Sequence, residues 1–266
     1  MKICWLIAHE KLEGDPAEPK LSDAVVRNGL PLIKAFYNNI RSPFQYTYES
    51  VDEYDIVIAH GPIPFIRQLQ NQIPNKLYLF GFRIYNDVSA VSSYLNRDMP
   101  LFNNDYIILP YSRILNYVKP KFHQYYDEIA YFIRPNSGFK SFNGFILNWF
   151  DTKKTLDDNK LLQKINDEEL CIITREKEIK AEFRFVICNK QVITSSQYTW
   201  DDRKDVRIDA HPKALELAEK VAQDEWQLDI VYVVDICLDS IFNPYVLEFN
   251  SFSSAGLYNC DRDEIV

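Results

Sequence analysis

Three oxygen-bearing side chains near the end of the chain have a spacing that could bind a metal ion. Asp235, Glu248 and Asn250 lie in two apolar segments that are typical of the strands of one hairpin. Residues i and i+2 of a strand share a face, so Glu248 and Asn250 point together, and Asp235 joins them if its strand is their partner. Two carboxylates and an amide oxygen are the hard ligands that Mg²⁺ takes, with phosphates and water completing its shell. The alternative is that both acids lie at solvated strand ends.

A second group of residues is typical of phosphate binding. In "IRPNSGFKSFNG" (133–144), Arg134 ends a predicted strand, and a loop with Ser137, Gly138 and Lys140 follows. Backbone N–H groups in such loops hold phosphate oxygens when an Arg or Lys is near. An ordinary surface hairpin is the alternative interpretation.

Two further patterns place charged or polar side chains where a site could form. Glu182 and Arg184 in "AEFRF" share one strand face, and the alternative there is an ion pair, which contributes little if exposed. His9 and His60 end two predicted strands, and the segment 81–87 with Arg83 and Asn86 follows a third. Ligands of α/β layers gather at the carboxyl ends of strands, although these residues could equally cap the strand ends.

Composition argues against several classes of protein, although net charge does not exclude a local basic cleft. The chain has 266 residues, 47% of them hydrophobic, and a formal charge of −8 from 30 basic and 38 acidic residues. An acidic chain does not favour binding to a nucleic acid backbone. Five cysteines without a paired spacing argue against a disulfide framework or a zinc knuckle. We find no signal peptide and no segment long enough to span a bilayer, so we expect a cytoplasmic protein that does not bind membranes.

The order of predicted elements gives the fold class. The first third alternates strands and helices, which predicts a parallel α/β layer, with strands at 2–8, 54–61 and 76–82 and helices at 21–40 and 64–72. The rest predicts mostly antiparallel sheet, with strands in 128–150, 169–174, 180–200, 227–239 and 244–252, and helices at 155–167 and 211–225. The hairpin in 180–200 turns at Asn189-Lys190.

The Arg134 loop, the apolar strand at 169–174 followed by Glu182, and the acid–acid–amide hairpin together resemble the ATP-grasp superfamily. The chain is most similar to its R2K clade, which is common in bacteriophages and bacteria. This resemblance implies an α/β N-terminal domain followed by an α+β ATP-grasp fold whose two subdomains clamp ATP. The implied boundaries are residues 1–117 for the first domain and 118–266 for the second, divided into a lid-side subdomain (118–174) and a metal-side subdomain (175–266).

The resemblance implies roles around the phosphates. The family's magnesium ligands match Asp235, Glu248 and Asn250. Arg134 takes the position of a strand-end Lys that binds the nucleotide phosphates, and Arg can do so bidentately. Lys140 closes over the phosphates from the lid, and Arg184 contacts the transferring phosphoryl group or acyl phosphate; these two residues are the expected catalytic pair. The segment "NSFSSAGLY" (250–258) stands where relatives carry a Gly-containing loop, and Ser253, Ser254 and the Gly256 backbone are expected to face the electrophile.

The resemblance also implies how the rest of ATP is held. Ser137 and Gly138 belong to the phosphate-binding loop. Ile172 and Ile173, on the strand whose backbone reads the adenine edge, sandwich the base. Glu182 falls near the position that holds the ribose hydroxyls. The cofactors implied are therefore ATP and Mg²⁺.

The activity implied is an ADP-forming, ATP-dependent carboxylate–amine ligase that makes a C–N bond through an acyl phosphate. Its partners would be ATP with a small-molecule or peptide carboxylate and an amine, such as an amino acid or peptide. Two other classes stay open. One is a catalytically silent ATP-grasp protein that binds nucleotide. The other is an interaction protein whose acidic surface contacts a basic partner.

Overall fold

The computed structural model describes residues 1–8, 18–38, 45–78, 99–124, 129–138 and 140–266, with only the backbone for 120–124. The predictions for His9 and for the segment 81–87, with Arg83 and Asn86, lie outside these residues. Packing divides the chain into two compact units, one made of residues 1–83 and 179–266 and the other of residues 84–178.

The first unit begins with a five-stranded sheet of order β3-β2-β1-β4-β5. Its strands are β1 (Ile3–Ala8), β2 (Leu32–Asn38), β3 (Gln45–Thr47), β4 (Ile56–His60) and β5 (Leu77–Tyr78). All pairings are parallel except that of β2 with β3. The helices are α1 (Leu21–Arg27) and α2 (Ile63–Gln72), and α2 buries Phe65, Ile66 and Leu69 against the sheet. The predicted parallel α/β layer is present.

One predicted element in this layer is wrong. The segment 21–40 was expected to be a single helix, but α1 ends at Arg27 and the chain turns into β2 at Leu32. Gly29 adopts a φ of +69°, the left-handed conformation that ends a helix, and Pro31 prevents its continuation. The apolar residues of β2 therefore follow a strand alternation that the longer helical pattern concealed.

The second unit contains a four-stranded antiparallel sheet of order β6-β9-β7-β8. Its strands are β6 (Ile107–Pro110), β7 (Tyr131–Pro135), β8 (Phe145–Leu147) and β9 (Leu170–Arg175). Two helices accompany it, α3 (Ile114–Gln124) and α4 (Thr152–Gln163). Tyr111, Ile114 and Val118 share one buried cluster with Tyr131 and Ile133 of β7. Residues on both sides of the predicted domain boundary thus build one core.

The packing units therefore differ from the predicted boundaries. The boundary at residue 117 falls inside α3, because that helix packs with the strands that follow it. The predicted subdomain boundary at 174 lies near the end of β9, close to the break between units at residues 178 and 179. The assignment of the predicted ranges to separate domains stays a prediction.

The first unit also contains a five-stranded antiparallel sheet of order β12-β11-β10-β13-β14. Its strands are β10 (Ala181–Cys188), β11 (Gln191–Trp200), β12 (Arg203–Arg207), β13 (Val231–Leu238) and β14 (Pro244–Asn250). Asn189 and Lys190, both with positive φ, form the predicted hairpin turn. Helix α5 (Pro212–Gln223) packs on this sheet, and a short helix α6 (Arg262–Ile265) ends the chain.

The two faces of this last sheet have different roles. Val186 and Val233 pack with Trp5 and Ile7 of β1 in one buried cluster, so their face adjoins the parallel layer. Alternation puts Arg184, two residues before Val186, on that same face and Phe185 on the face covered by α5.

No helix in the described part of the chain is both long enough and apolar enough to cross a membrane.

Candidate active site

The acid and amide residues singled out from the sequence meet on one face of the β10–β14 sheet. Asp235 on β13 and Glu248 on β14 are cross-strand partners, and Asn250 lies two residues beyond Glu248 on the same face. The Asn250 Nδ2 donates to Asp235 Oδ2 at 3.0 Å and to Glu248 Oε1 at 2.9 Å. A β-bulge interrupts the pairing between Asp235 and Ile236, and bulges of this kind often lie beside active sites. The Asn250 carboxamide thus lies within hydrogen-bond distance of both acids.

Arg184 is the basic partner of this group. It lies opposite Asp235 across the β10–β13 pairing, and its Nε and Nη2 donate to the two carboxylate oxygens at 2.8 and 2.6 Å. Its Nη1 donates to the main-chain oxygen of Gly256 at 2.5 Å. Burial lowers the pKa of the guanidinium, but the Asp235 carboxylate outweighs burial, and the pKa of Arg184 is raised. The ion pair expected as an alternative thus exists, but it is buried and its acid is Asp235.

Glu182 shares this face and is held by two hydroxyl groups. Tyr198 Oη donates to its Oε2 at 2.7 Å and Thr199 Oγ1 donates to its Oε1 at 3.1 Å. Burial raises the pKa of Glu182, the two hydrogen bonds oppose that rise, and the charges of Asp235 and Glu248 add to it. The sheet face therefore carries three acids and one arginine on the neighbouring strands β10, β13 and β14.

The donor set of this group is of the type that binds a divalent cation. Among the residues that the structure describes, no cluster of three or more His, Cys, Asp or Glu side chains is placed to hold a metal ion. Asp235 and Glu248 are two such side chains, and together with the Asn250 carboxamide they leave positions for phosphate oxygens and water, as Mg²⁺ sites usually do. Because Asn250 presents its Nδ2 to both acids, a cation here requires the carboxamide to present Oδ1 instead. With that rotation the donor types and their proximity fit Mg²⁺.

In the second unit, two of the predicted nucleotide contacts are neighbours. Arg134 on β7 is the cross-strand partner of Ile172 on β9, so both side chains lie on one face of that sheet. Ile173 points to the opposite face, where it is 1% exposed and belongs to the core with Ile133. Consecutive strand residues cannot both contact a base from one side. The alternation places only Ile172 on the face of Arg134, and the contact of Ile172 and Ile173 with adenine stays a prediction.

The predicted phosphate loop is a tight turn that directly follows β7. The main-chain N–H of Lys140 donates to the carbonyl oxygen of Ser137 at 3.1 Å, and Lys140 has a positive φ of 47°. Ser137 and Gly138 are partly exposed and Lys140 is exposed, whereas Phe139 lies outside the described residues. The turn brings Ser137, Gly138 and Lys140 together, and their contact with phosphate stays a prediction.

The part of the chain that carries the site matches a known family. The sequence profile described as ATP-grasp domain, R2K clade family 2, matches residues 116–266. This match covers more than half of the chain. The chain belongs to the R2K clade of ATP-grasp domains. The R2K match includes β7, β9 and all five strands of the sheet that carries Asp235, Glu248 and Arg184. A comparison with curated protein sequences found no match.

Solved structures extend the similarity of this R2K protein to nearly the whole chain. The structure of the D-cycloserine synthetase DcsG superposes with a TM-score of 0.65 at 13% identity, covering 96% of this chain and 93% of that one. The D-alanyl-alanine synthetase A of Vibrio cholerae gives 0.58 at 12% identity, covering 94% and 89%. The D-alanine–D-alanine ligase of Bacillus anthracis in complex with ATP gives 0.54 at 15% identity, covering 95% and 86%. The fold is thus an α/β domain followed by an ATP-grasp fold.

Three residues of the site region were missed at the level of sequence. Tyr198 and Tyr258 stack with ring centroids 4.7 Å apart and an interplanar angle of 9°, beside Arg184. Arg262 is 3% exposed and donates to the main-chain oxygens of the segment that carries Tyr258. No spacing pattern points to these residues, because a bulge and an irregular segment bring them to the sheet.

A further missed contact lies just after β9. The Lys177 ammonium group donates to Asp105 and, at 2.9 Å, to the main-chain oxygen of Phe102. Thr174, the penultimate residue of β9, donates to the same Asp105 at 2.6 Å. This cluster fixes the end of β9, the strand predicted to read the adenine edge, and its acid, Asp105, lies too far away in sequence to be inferred.

Two predictions about the final segment can be compared with the structure. Ser253 is fully buried and its main-chain oxygen accepts from the N–H of Gly61, and a role for it facing an electrophile stays a prediction. The Gly256 carbonyl is engaged by Arg184. All five cysteines are free, and burial raises the pKa of Cys260 to about 12, so this thiol is a bystander rather than a nucleophile.

His60 ends β4 beside this final segment. Its ring lies 5.4 Å from that of Phe252, and its buried Nε2 has no hydrogen-bond partner among the described residues. Burial lowers the pKa of His60 to about 4, and the charge of Arg262 lowers it further, against a hydrogen bond with the backbone of Ala255. His60 is therefore neutral in the folded chain at pH 7.

We expect His60 to make the fold sensitive to acid. In the unfolded chain a histidine protonates near pH 6.5, so stability is complete above that value and falls as the pH drops towards about 4. The loss attributable to His60 should reach about 2 kcal/mol, allowing for the partial exposure of the side chain. Urea unfolding between pH 7.5 and 4.5 should show this slope in the wild type and not in His60→Gln. His211→Asn, a change at the N-cap of α5, should keep the slope, and an unchanged slope in His60→Gln would contradict the assignment.

Proposed function

We propose that the chain is an ATP-dependent carboxylate–amine ligase that uses Mg²⁺ and forms ADP. The observation that carries the proposal is the group on one sheet face in which the buried Arg184 is bound to the buried Asp235, beside the half-buried Glu248 and Asn250. This group lies in a domain of the R2K ATP-grasp family, which supports nucleotide binding at the same place. The similar solved structures carry the names of ligases and synthetases.

The group is suited to phosphoryl transfer. Asp235, Glu248 and Asn250 would hold Mg²⁺, which neutralises charge on the terminal phosphates of ATP. Arg184 makes three hydrogen bonds with described residues, so two of the five N–H groups of its guanidinium are left for a phosphoryl oxygen. Because Asp235 is 1% exposed and Arg184 is 6% exposed, these charges act away from water, where they are strongest.

The finer proposal is an acyl phosphate route. A carboxylate oxygen of the substrate forms a bond to the γ-phosphorus, and the bond from that phosphorus to the β–γ bridging oxygen breaks, releasing ADP. An amine nitrogen then attacks the acyl carbon, phosphate leaves, and the nitrogen loses a proton. Arg184 would hold the transferring phosphoryl group, Arg134 and the turn with Lys140 would hold the phosphates, and Glu182 the ribose. Little covalent chemistry is left to the protein, so positioning and charge supply the catalysis.

The substrate class is proposed to be an amino acid or peptide. This route joins a carboxylate to an amine. Two proteins of similar structure are named D-alanyl-alanine synthetase and D-alanine–D-alanine ligase, and these names describe the joining of two amino acids. Which carboxylate is the substrate depends on the shape of the binding pocket, and the fold does not determine that shape.

Two measurements test the proposal in sequence. Melting temperatures with ATP, Mg²⁺ or both should rise most with both together, since a ligand at about 100 times its Kd adds about 2.7 kcal/mol of stability. Release of ADP and phosphate should then be screened against amino acids and short peptides. Stabilisation followed by acceptor-dependent ADP release supports the ligase. Stabilisation without turnover for any acceptor favours a silent nucleotide-binding protein, and no stabilisation overturns the proposal.

A further inference from the structure

The stacked tyrosines beside the acidic group link two residues of the proposed site. The rings of Tyr198 and Tyr258 are nearly parallel, and the guanidinium carbon of Arg184 lies 5.5 Å from the centre of the first ring and 5.0 Å from that of the second. Both distances are within the range in which a cation is attracted to an aromatic face. Tyr198 also donates to Glu182, so a single side chain contacts both Arg184 and Glu182.

A β-bulge brings Tyr198 to this face. In the β10–β11 pairing Glu182 is opposite Thr199, but the next residue, Phe183, is opposite Gln197, so Tyr198 has no partner. The extra residue allows both Tyr198 and Thr199 to reach the carboxylate of Glu182. Burial, together with the charges of Asp235 and Glu182, raises the pKa of Tyr198 well above its usual value. Its hydroxyl group therefore remains a hydrogen-bond donor.

An unusual backbone conformation brings Tyr258 to the same place. Its φ is +47°, a conformation that costs a non-glycine residue about 1 kcal/mol or more. Arg262 compensates by donating to the carbonyl oxygens of Tyr258, Leu257 and Cys260 at 2.7, 3.2 and 2.5 Å. The next main-chain N–H, that of Asn259, donates to Ser196 on β11 at 3.1 Å. The buried Arg262 thus holds Tyr258, in its strained backbone conformation, against Arg184. Backbone strain of this kind is concentrated at functional sites.

We propose that Tyr198 and Tyr258 are positioning residues of the nucleotide site. Tyr198 orients the Glu182 carboxylate through its hydroxyl group, and the ring of Tyr258 fixes the plane of Arg184 so that its remaining N–H groups meet the terminal phosphate. This inference rests on the proposed function, because it takes Glu182 as the ribose contact and Arg184 as the contact of the phosphate that is transferred. It assigns the pair a role that packing alone would not require.

The two tyrosines should affect nucleotide binding in different ways. Glu182 would contact the ribose, which ATP and ADP share, so Tyr198→Phe should weaken both nucleotides by about tenfold, the value of one hydrogen bond to a charged group. Arg184 would contact the γ-phosphate, so Tyr258→Leu should weaken ATP by about fivefold to tenfold and leave ADP unchanged. Tyr258→Phe keeps the ring and should restore wild-type affinity for ATP.

Calorimetric titration of the full chain with ATP or ADP in the presence of Mg²⁺ measures these affinities without an acceptor substrate. Tyr232→Phe is the matched control, because Tyr232 is fully buried on the opposite sheet face and its hydroxyl group donates to Gln227 at 3.1 Å. This control should bind both nucleotides like the wild type, and melting temperatures should show that all variants fold.

The possible outcomes are distinct. Selective loss of ATP affinity in Tyr258→Leu, with a uniform loss in Tyr198→Phe, supports the assignment. Wild-type affinities in both variants, or equal losses in Tyr232→Phe, overturn the positioning role while leaving the proposed function intact. A wild-type chain that binds neither nucleotide overturns the proposed function, and the positioning role with it.

Discussion

Asp235→Asn should lower the free energy of unfolding by about 3–5 kcal/mol, because it leaves the guanidinium of Arg184 buried without its acid. Both side chains are almost fully buried, and two hydrogen bonds of 2.8 and 2.6 Å join them. Asparagine keeps the shape of the side chain but cannot balance the charge or accept both hydrogen bonds. Urea unfolding at pH 7 measures the loss, and ADP release should disappear as well.

A double-mutant cycle separates the ion pair from its surroundings. Replacing both partners, as in Arg184→Met with Asp235→Leu, removes the uncompensated charge and should recover most of the stability while leaving the enzyme inactive. The exposed pair of Lys160 and Asp167, at 2.7 Å, provides a matched control, and Asp167→Asn should change stability by about 0.5 kcal/mol or less. If Asp235→Asn unfolded within about 1 kcal/mol of the wild type, the buried pair would not hold the sheet face together.

The group of Asp235, Glu248 and Asn250 could be predicted because its members lie on two strands that are close in sequence. A strand fixes the common direction of residues i and i+2, and a hairpin brings its partner strand alongside at short range in sequence. The same rule, applied strictly, separates Ile172 from Ile173, since neighbours on a strand point to opposite faces. Membership of a fold family does not override that alternation, and Ile173 accordingly lies in the core.

The rest of the site depends on contacts that no local pattern specifies. The pairing of Arg184 with Asp235 follows from the register between β10 and β13, which are separated by 51 residues at this point. Tyr258 reaches the sheet through an irregular segment held by Arg262, and a bulge that only the register reveals places Tyr198 there. In the first layer, a helical pattern that ran past Gly29 concealed a strand, because apolar residues after the turn fit both periods.

Glu248→Gln, unlike Asp235→Asn, should keep or slightly raise the stability of the fold while strongly lowering turnover. Glu248 lies near Asp235 and Glu182, and its charge contributes to raising the pKa of Glu182. Removing that charge relieves repulsion on a buried face, so the free energy of unfolding without Mg²⁺ should stay the same or rise by up to about 1 kcal/mol. The glutamine carboxamide still accepts from Asn250, so the local hydrogen bond is kept.

Catalysis should nevertheless fall by about a hundredfold to a thousandfold or more, since an anionic metal ligand is worth several kcal/mol of transition-state stabilisation. The Mg²⁺ concentration needed for half-maximal ADP release should also rise. Glu216→Gln, an exposed change on α5, removes the same charge away from the site and should leave both quantities unchanged. A Glu248→Gln enzyme within about tenfold of wild-type turnover would show that this acid does not bind the metal. A clear loss of stability without Mg²⁺ would show instead that Glu248 is part of the scaffold. A carboxylate that is positioned to bind a cation is repelled by its acidic neighbours in the metal-free fold, so removing its charge should not lower the free energy of unfolding.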